Sequence, residues 1–451
     1  MQLTILLLYF GLMVGLGIYS WLKIKEPIDY FIAGKRSGFL QIAGSLLSTI
    51  LGGSAVLGTV NLTKDMGWAA GWYILAASFG LWLLVPIVGK VNRLGKYTLT
   101  NLIGQFYGET ARKVASIIIP LAWIGIVAAQ VIASAKILFS FFNLPYESGV
   151  LLSGSVFIIY TLIGGQISII KTDFFQSLII LMGVVLTAFF LWNTPEKVPA
   201  FSSSFPFNSH FSGTDLFILI LTFSSTFVVG PDIYSRVFCA KDEKTAKKSV
   251  KLVATILIPF AFVLAYIGVF AYSHLQHETA EGSAALIDVI NYYLPDWISG
   301  IMAAVLLSAV LSSADTTLLT SSMILSELIQ PDINNSRSLK NTRYFIVVSG
   351  IVSIILALKV TSIIGTLLLA LAFYSGAFII PILAALINLK VNKRLSILAM
   401  ATGGLIALAG KITDGYLDGS YGNWMIISAF VFNALILFFP ERNKRRARQQ
   451  P

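Results

Sequence analysis

The stretch LLSAVLSSADTTLLTSSMIL, Leu306 to Leu325, decides how the rest of this chain is read. It lies inside an apolar segment, 296–329, long enough to cross a bilayer core of about 30 Å, which takes ~20 helical residues. Yet it carries Ser308, Ser312, Ser313, Thr316, Thr317, Thr320, Ser321, Ser322 and one aspartate, Asp315. Ala309, Ser312, Ser313 and Thr316 stand at i, i+3, i+4 and i+7 and share one face of a helix, with Asp315 beside it. Hydroxyls and a carboxylate are hard oxygen ligands, suited to a small hard cation. Hydroxyls in a membrane helix also serve close packing or bond back to their own turn. A charged side chain at membrane depth, however, costs at least ~2.5–3.5 kcal/mol and marks a functional site.

The rest of the chain agrees with a membrane setting. Its 451 residues are 56% hydrophobic and 12% charged, with a mean hydropathy of +0.82. That composition predicts an all-α polytopic membrane protein, read as a single transmembrane domain over 1–451. Cys239 is the sole cysteine, which excludes disulfides and cysteine-built metal sites. His210 and His277 fall outside the apolar spans and His274 stands at the very end of one, so a histidine proton relay is not expected. No nucleophile–base pair or metal cluster stands out, and the chain is not expected to be an enzyme. Leu3 to Trp21 is long enough to span and lacks a basic start, so it is read as a first helix rather than a cleavable signal.

Hydropathy predicts thirteen spans: 3–22, 40–60, 68–89, 113–143, 147–166, 172–193, 214–235, 250–274, 296–329, 343–359, 361–388, 395–413 and 422–440. Alternate loops differ sharply in Lys and Arg. One side holds 27 of the 32, the other only Lys64, Lys197, Lys359 and Lys411, while Lys136 lies within a span. The positive-inside rule puts the amino terminus outside and the carboxyl terminus in the cytoplasm. The net charge of +11 follows from this topology, so no nucleic-acid partner is expected, and the basic tail 441–451 reads as an anchor at the bilayer surface.

Two spans carry interruptions. GSLLSTILGGSAVLG, Gly44 to Gly58, places Gly52-Gly53 near mid-membrane among Ser48, Thr49 and Ser54. FSSTFVVGPDIYSR, Phe223 to Arg236, places Gly230-Pro231 after Ser224 and Ser225 and before Asp232. Both patterns predict broken helices, whose freed backbone groups must face a cavity or an ion. The two spans stand five apart and run in opposite directions, the signature of inverted repeats with a binding site at their interface. Repeat one would cover 40–193 and repeat two 214–388; 3–22 and the pair within 395–440 would be additions. Asp173 begins span six and is equally suited to capping that helix. Gln130 lies mid-span and needs a partner, and Lys136 is expected to reach toward the headgroups.

At these residues the chain resembles the sodium:solute symporters, the bacterial carriers of proline, pantothenate, sialic acid and sugars. The resemblance runs over roughly 3–440. It rests on DYFIAGKRSG (Asp29 to Gly38), GGQISIIKTDFFQ (Gly164 to Gln176), YSRVFCAKD (Tyr234 to Asp242) and LSSADTTLL (Leu311 to Leu319). It implies a leucine-transporter-type fold and sodium-driven uptake of a small organic solute by alternating access, in a protein that works as a monomer in the lipid bilayer. It implies a sodium site built from the carbonyls of Ser48, Leu51 and Ala309 and the hydroxyls of Ser312 and Ser313. A second sodium, which some members bind, would take Asp173, Ser312, Asp315 and Thr316; the aspartate at 315 departs from members with serine there. The solute pocket would lie among Thr49, Gly52, Gly53, Ser54, Gln130, Ser224, Ser225, Phe227, Tyr374, Ser375 and Phe378. An amino acid or small organic acid is expected over a sugar, because the pocket is poor in amide side chains. Proton coupling through Asp173 or Asp315 is the alternative on the same fold. A membrane sensor is less favoured, since only eleven residues follow span thirteen.

Overall fold

The computed structural model describes residues 26–440 apart from 96, 275–284, 332–334 and 417–420, together with seven scattered positions between 11 and 24. Most of the expected first span and the whole basic tail therefore lie outside the described residues, as does His277. The helices in order are α1 (Pro27–Ile32), α2 (Phe39–Ile50), α3 (Gly53–Met66), α4 (Trp72–Leu84), α5 (Val88–Leu94), α6 (Leu99–Tyr107), α7 (Glu109–Phe142), α8 (Tyr146–Trp192) and α9 (Gly213–Leu219). There follow α10 (Ser225–Val229), α11 (Pro231–Cys239), α12 (Glu243–His274), α13 (Ala285–Tyr293), α14 (Asp296–Ile329), α15 (Ser336–Lys359), α16 (Ile363–Leu386), α17 (Ser396–Tyr416) and α18 (Tyr421–Leu437). The described residues contain no β-strand. Nine of the described helical stretches are long and apolar enough to cross a membrane.

Both interruptions break their helices. α2 ends at Ile50 and α3 starts at Gly53, with Gly52 extended at φ −60°, ψ 167°. That φ is open to any residue; what demands glycine is proximity. A Cβ on Gly52 would stand 2.8 Å from Cβ of Ser313 and 3.4 Å from Nε2 of Gln130. A Cβ on Gly53 would run into Val310. The glycine pair thus lets the broken helix lie directly against α14 and α7. In the second break α10 ends at Val229, Gly230 is extended, and Pro231 opens α11 at the first helical position, where its missing N–H costs nothing. A π-helical turn, Ile220–Ser224, precedes it, a geometry frequent at functional sites.

α8 covers the expected fifth and sixth spans in one run of 47 residues, but its chain reverses at Gly165. The Tyr160 hydroxyl donates to Thr172 Oγ1 at 3.1 Å, although twelve helical residues would separate them by ~18 Å if the helix were straight. Gly165 has φ +56°, and a Cβ there would meet the Tyr30 ring, so the turn accepts glycine alone.

α14 is the inner helix. It packs against α2, α3, α7, α8 and α15, and 89% of its most apolar window is buried, against 33% for α15, which faces outward. The polar stretch Asn193 to Asp215, which sequence alone reads as only a loop, begins α9 at Gly213 and packs over the end of α3: Trp68 donates from its backbone to Ser204 and from its indole to the Pro199 carbonyl. One charge assignment changes. Arg236 counts among the loop cations in the topology argument, but it sits on α11 fully buried. A loop count assigns residues by sequence position, whereas the short helix after the break carries Arg236 back into the protein.

Candidate functional site

The serine face of α14 meets the break between α2 and α3. The Ser312 hydroxyl lies 2.9 Å from the Ser48 carbonyl and 3.1 Å from the Ala309 carbonyl. The Ser313 hydroxyl donates to the Thr49 carbonyl at 2.8 Å. Of the five oxygens expected around one sodium, those of Ser48, Ala309 and Ser312 are in direct contact. Ser313 engages Thr49 rather than Leu51, whose carbonyl lies one residue beyond the end of α2. All these side chains are buried. A hydroxyl carries one proton, so Ser312 cannot donate to both carbonyls at once. A small cation at this point would satisfy all three oxygens together, and the donor set is hard, as sodium requires.

One turn along α14 is a second cluster. Asp173 Oδ2 accepts from the Ser45 hydroxyl at 2.5 Å and from the Arg236 guanidinium at 3.1 Å. Arg236 also donates from Nε to Ser45 Oγ at 3.1 Å and contacts Thr316 Oγ1. Thr316 in turn donates to the Ser312 carbonyl at 2.8 Å and lies 3.3 Å from Asp315 Oδ1. Asp173, Ser312, Asp315 and Thr316 are thus brought together as expected, but around a cation the protein itself supplies. Two carboxylates share that one guanidinium, and Asp173 Oδ1 and Asp315 Oδ2 have no hydrogen-bond partner among the described residues. The sequence already held Arg236 in the YSRVFCAKD motif; its depth was not legible there.

Beside the first cluster is a cavity of about 60 Å³. Four residues expected for the solute pocket, Thr49, Ser54, Gln130 and Phe227, line it, together with Ser313 of the expected sodium site. Gln130 holds its wall: Nε2 donates to Ser54 Oγ at 2.7 Å and Oε1 accepts from the Ser54 backbone at 3.3 Å. Tyr73, Trp123, Phe223, Thr317 and Asp232 also line it and were not expected there from sequence. Only Asp232 left a signal, its place directly after Gly230-Pro231.

The remaining expected pocket residues stand elsewhere. Gly52 and Gly53 face α7 and α14. Tyr374 is fully buried and donates its hydroxyl to the Val229 carbonyl at 2.5 Å, an acceptor freed by the break at Gly230. Phe378 packs against that ring, with centroids 5.3 Å apart. Ser375 bonds back to Ala372 of its own helix and Ser225 to Leu221 in the preceding π-helical turn, and the buried Ser224 hydroxyl has no hydrogen-bond partner among the described residues. An aromatic and polar patch in sequence does not distinguish lining a cavity from capping a broken helix behind it.

The model of the sodium:solute symporter family matches residues 30–403. The chain belongs to the sodium:solute symporter family. Among relatives of this symporter-family chain, the sodium/pantothenate symporter of Escherichia coli is 24% identical over 92% of each chain. The sodium/proline symporter of Salmonella typhimurium is 22% identical over 96% of this chain and 91% of its own. A sodium-coupled sialic acid symporter, solved substrate-bound and outward-open, superposes with a TM-score of 0.74 at 18% identity, covering 96% and 97% of the two chains. A nucleobase-cation-symport-1 transporter in a closed conformation gives 0.59 at 13% identity, covering 91% and 93%. The fold is of the leucine-transporter type, and the family member described here is a multi-pass membrane protein.

Proposed function

We propose that this chain imports a small organic solute, an amino acid or small organic acid, by sodium-coupled symport through alternating access across the bacterial plasma membrane. The observation that carries the reading is the Ser312 hydroxyl placed between the Ser48 and Ala309 carbonyls, on two helices of which one is broken beside the cavity. Sodium bound there would tie α2 to α14 and hold the wall of the pocket, which raises solute affinity; by linkage the solute raises sodium affinity equally. The amino terminus is outside, the carboxyl terminus cytoplasmic, and the working unit is a monomer. Two inverted repeats, 40–193 and 214–388, account for the paired breaks, and for two helices of equal length, α7 and α14, packed on each other at matching positions.

One sodium suffices in this reading, because Arg236 fills the place where a second cation would neutralise Asp173. The unpartnered oxygens of Asp173 and Asp315 favour a second reading, in which a proton is the coupling ion. Melting of the purified protein in sodium chloride against equimolar potassium chloride, at several fixed pH values, separates them. Sodium-specific stabilisation at every pH supports sodium coupling, since a ligand that binds only the native state raises its stability. Stabilisation that follows pH and ignores sodium overturns it.

A further inference from the structure

The cavity beside the sodium site carries a chemical bias that narrows the solute, on the reading of this chain as a symporter. Asp232 is the one charged residue among those lining it. That carboxylate forms no salt bridge among the described residues: it accepts from backbone N–H groups at the start of α11 and feels the Arg236 guanidinium one turn on, which Asp173 engages directly at 3.1 Å. Asp232 also stands in the first turn of α11, so the helix start fixes its direction at the break. The cavity lining also carries an aromatic cluster: Tyr73 stacks on Phe223 at 4.2 Å between centroids, Phe223 meets Phe227 edge-on at 5.0 Å, and Trp123 joins them in the lining. Two buried hydroxyls on the same wall, those of Tyr73 and Thr49, have no hydrogen-bond partner among the described residues.

A carboxylate and aromatic rings lining one small cavity with free hydroxyls attract one kind of group. Ring faces are negative and draw in organic cations at contact distance, most strongly where water is excluded. The carboxylate supplies the countercharge, and the free hydroxyls can accept an N–H or bond a second polar group of the solute. An anionic solute without a positive centre would meet Asp232 with no guanidinium or ammonium among the lining residues to offset it. We propose that the pocket recognises a small solute through its ammonium group, with Asp232 as the countercharge, so that the transported class is amino acids, betaines or amines rather than organic acids or sugars.

The test is thermal stabilisation of the purified full chain in sodium chloride by proline, glycine betaine, pantothenate and glucose, for wild type and Asp232→Asn. Expected is stabilisation of the wild type by proline or glycine betaine and by neither of the others, with affinity falling at least tenfold in Asp232→Asn. Sodium alone should stabilise both proteins alike, which shows that the variant folds and that the ion site is intact. Stabilisation by pantothenate or glucose, by neither ammonium solute, or equally in Asp232→Asn overturns the assignment. Loss of the sodium response in the wild type would instead count against sodium coupling, a separate failure.

Discussion

Arg236 donates to the carboxylate of Asp173 at 3.1 Å, and both side chains are fully buried. Such a pair is not a source of great net stability, because desolvating both ions offsets most of their attraction, but removing one partner strands the other at a cost of ~3–5 kcal/mol. Here the pair does more than fill space, since Arg236 also touches Thr316, whose hydroxyl donates to the Ser312 carbonyl.

Replacing the guanidinium should therefore make room for an ion. In Arg236→Gln the carboxylates of Asp173 and Asp315 lose their shared countercharge, and sodium is expected to take its place. The variant should melt well below wild type at low sodium and recover part of the loss at high sodium, with a Hill coefficient above one where wild type shows one. A loss of stability that sodium does not relieve would mean that Arg236 has only a structural role.

Ser312→Ala and Ser313→Ala should each weaken apparent sodium affinity about tenfold, ~1.4 kcal/mol. Ser312 would lose an ion ligand; Ser313 would lose its bond to the Thr49 carbonyl, which holds the end of α2 against α14. Ser321→Ala is the control, because the Ser321 hydroxyl bonds to Leu318 of its own helix. Sodium titrations of melting temperature read all three. Unchanged midpoints in both variants would remove this face from the ion site.

Gly52→Ala should disable the site by driving a methyl group into Ser313, with every ligand residue kept. The new Cβ would stand 2.8 Å from Cβ of Ser313, both on backbone that cannot swing away. Overpacking of this kind costs ~1–3 kcal/mol, and the strain is relieved by parting α2 from α14, which separates the oxygens of Ser48 and Ser312. A folded variant with normal sodium affinity would show that the close approach at Gly52 is dispensable.

Orientation is open to direct labelling. Ser209 and Lys340 are exposed, and Cys239, the sole native thiol, is buried. In a Cys239→Ser background, Ser209→Cys should react with an impermeant maleimide in intact cells, and Lys340→Cys only after permeabilisation. The reverse pattern would invert the topology.

Hydropathy, helix breakers and loop charge by themselves determined that this is a polytopic helical protein, where its two broken helices fall, and that the serine face at 306–325 is central. These signals are local: apolar length, Gly-Gly, Gly-Pro and hydroxyl spacing act within a few turns of chain, so sequence displays them directly. The reversal at Gly165 was also foreseeable, as a boundary between two spans. What only the tertiary structure decided is which groups meet. Ser313 faces Thr49 and not Leu51 because Gly52 lets the end of α2 drop against α14. Tyr374 caps Val229 because a carbonyl freed by the break must find a donor where no water reaches. Arg236, scored by position as a loop cation, became the buried partner of Asp173, 63 residues away. Pairings over such separations are set by how helices pack against one another, and no window along one sequence contains both partners.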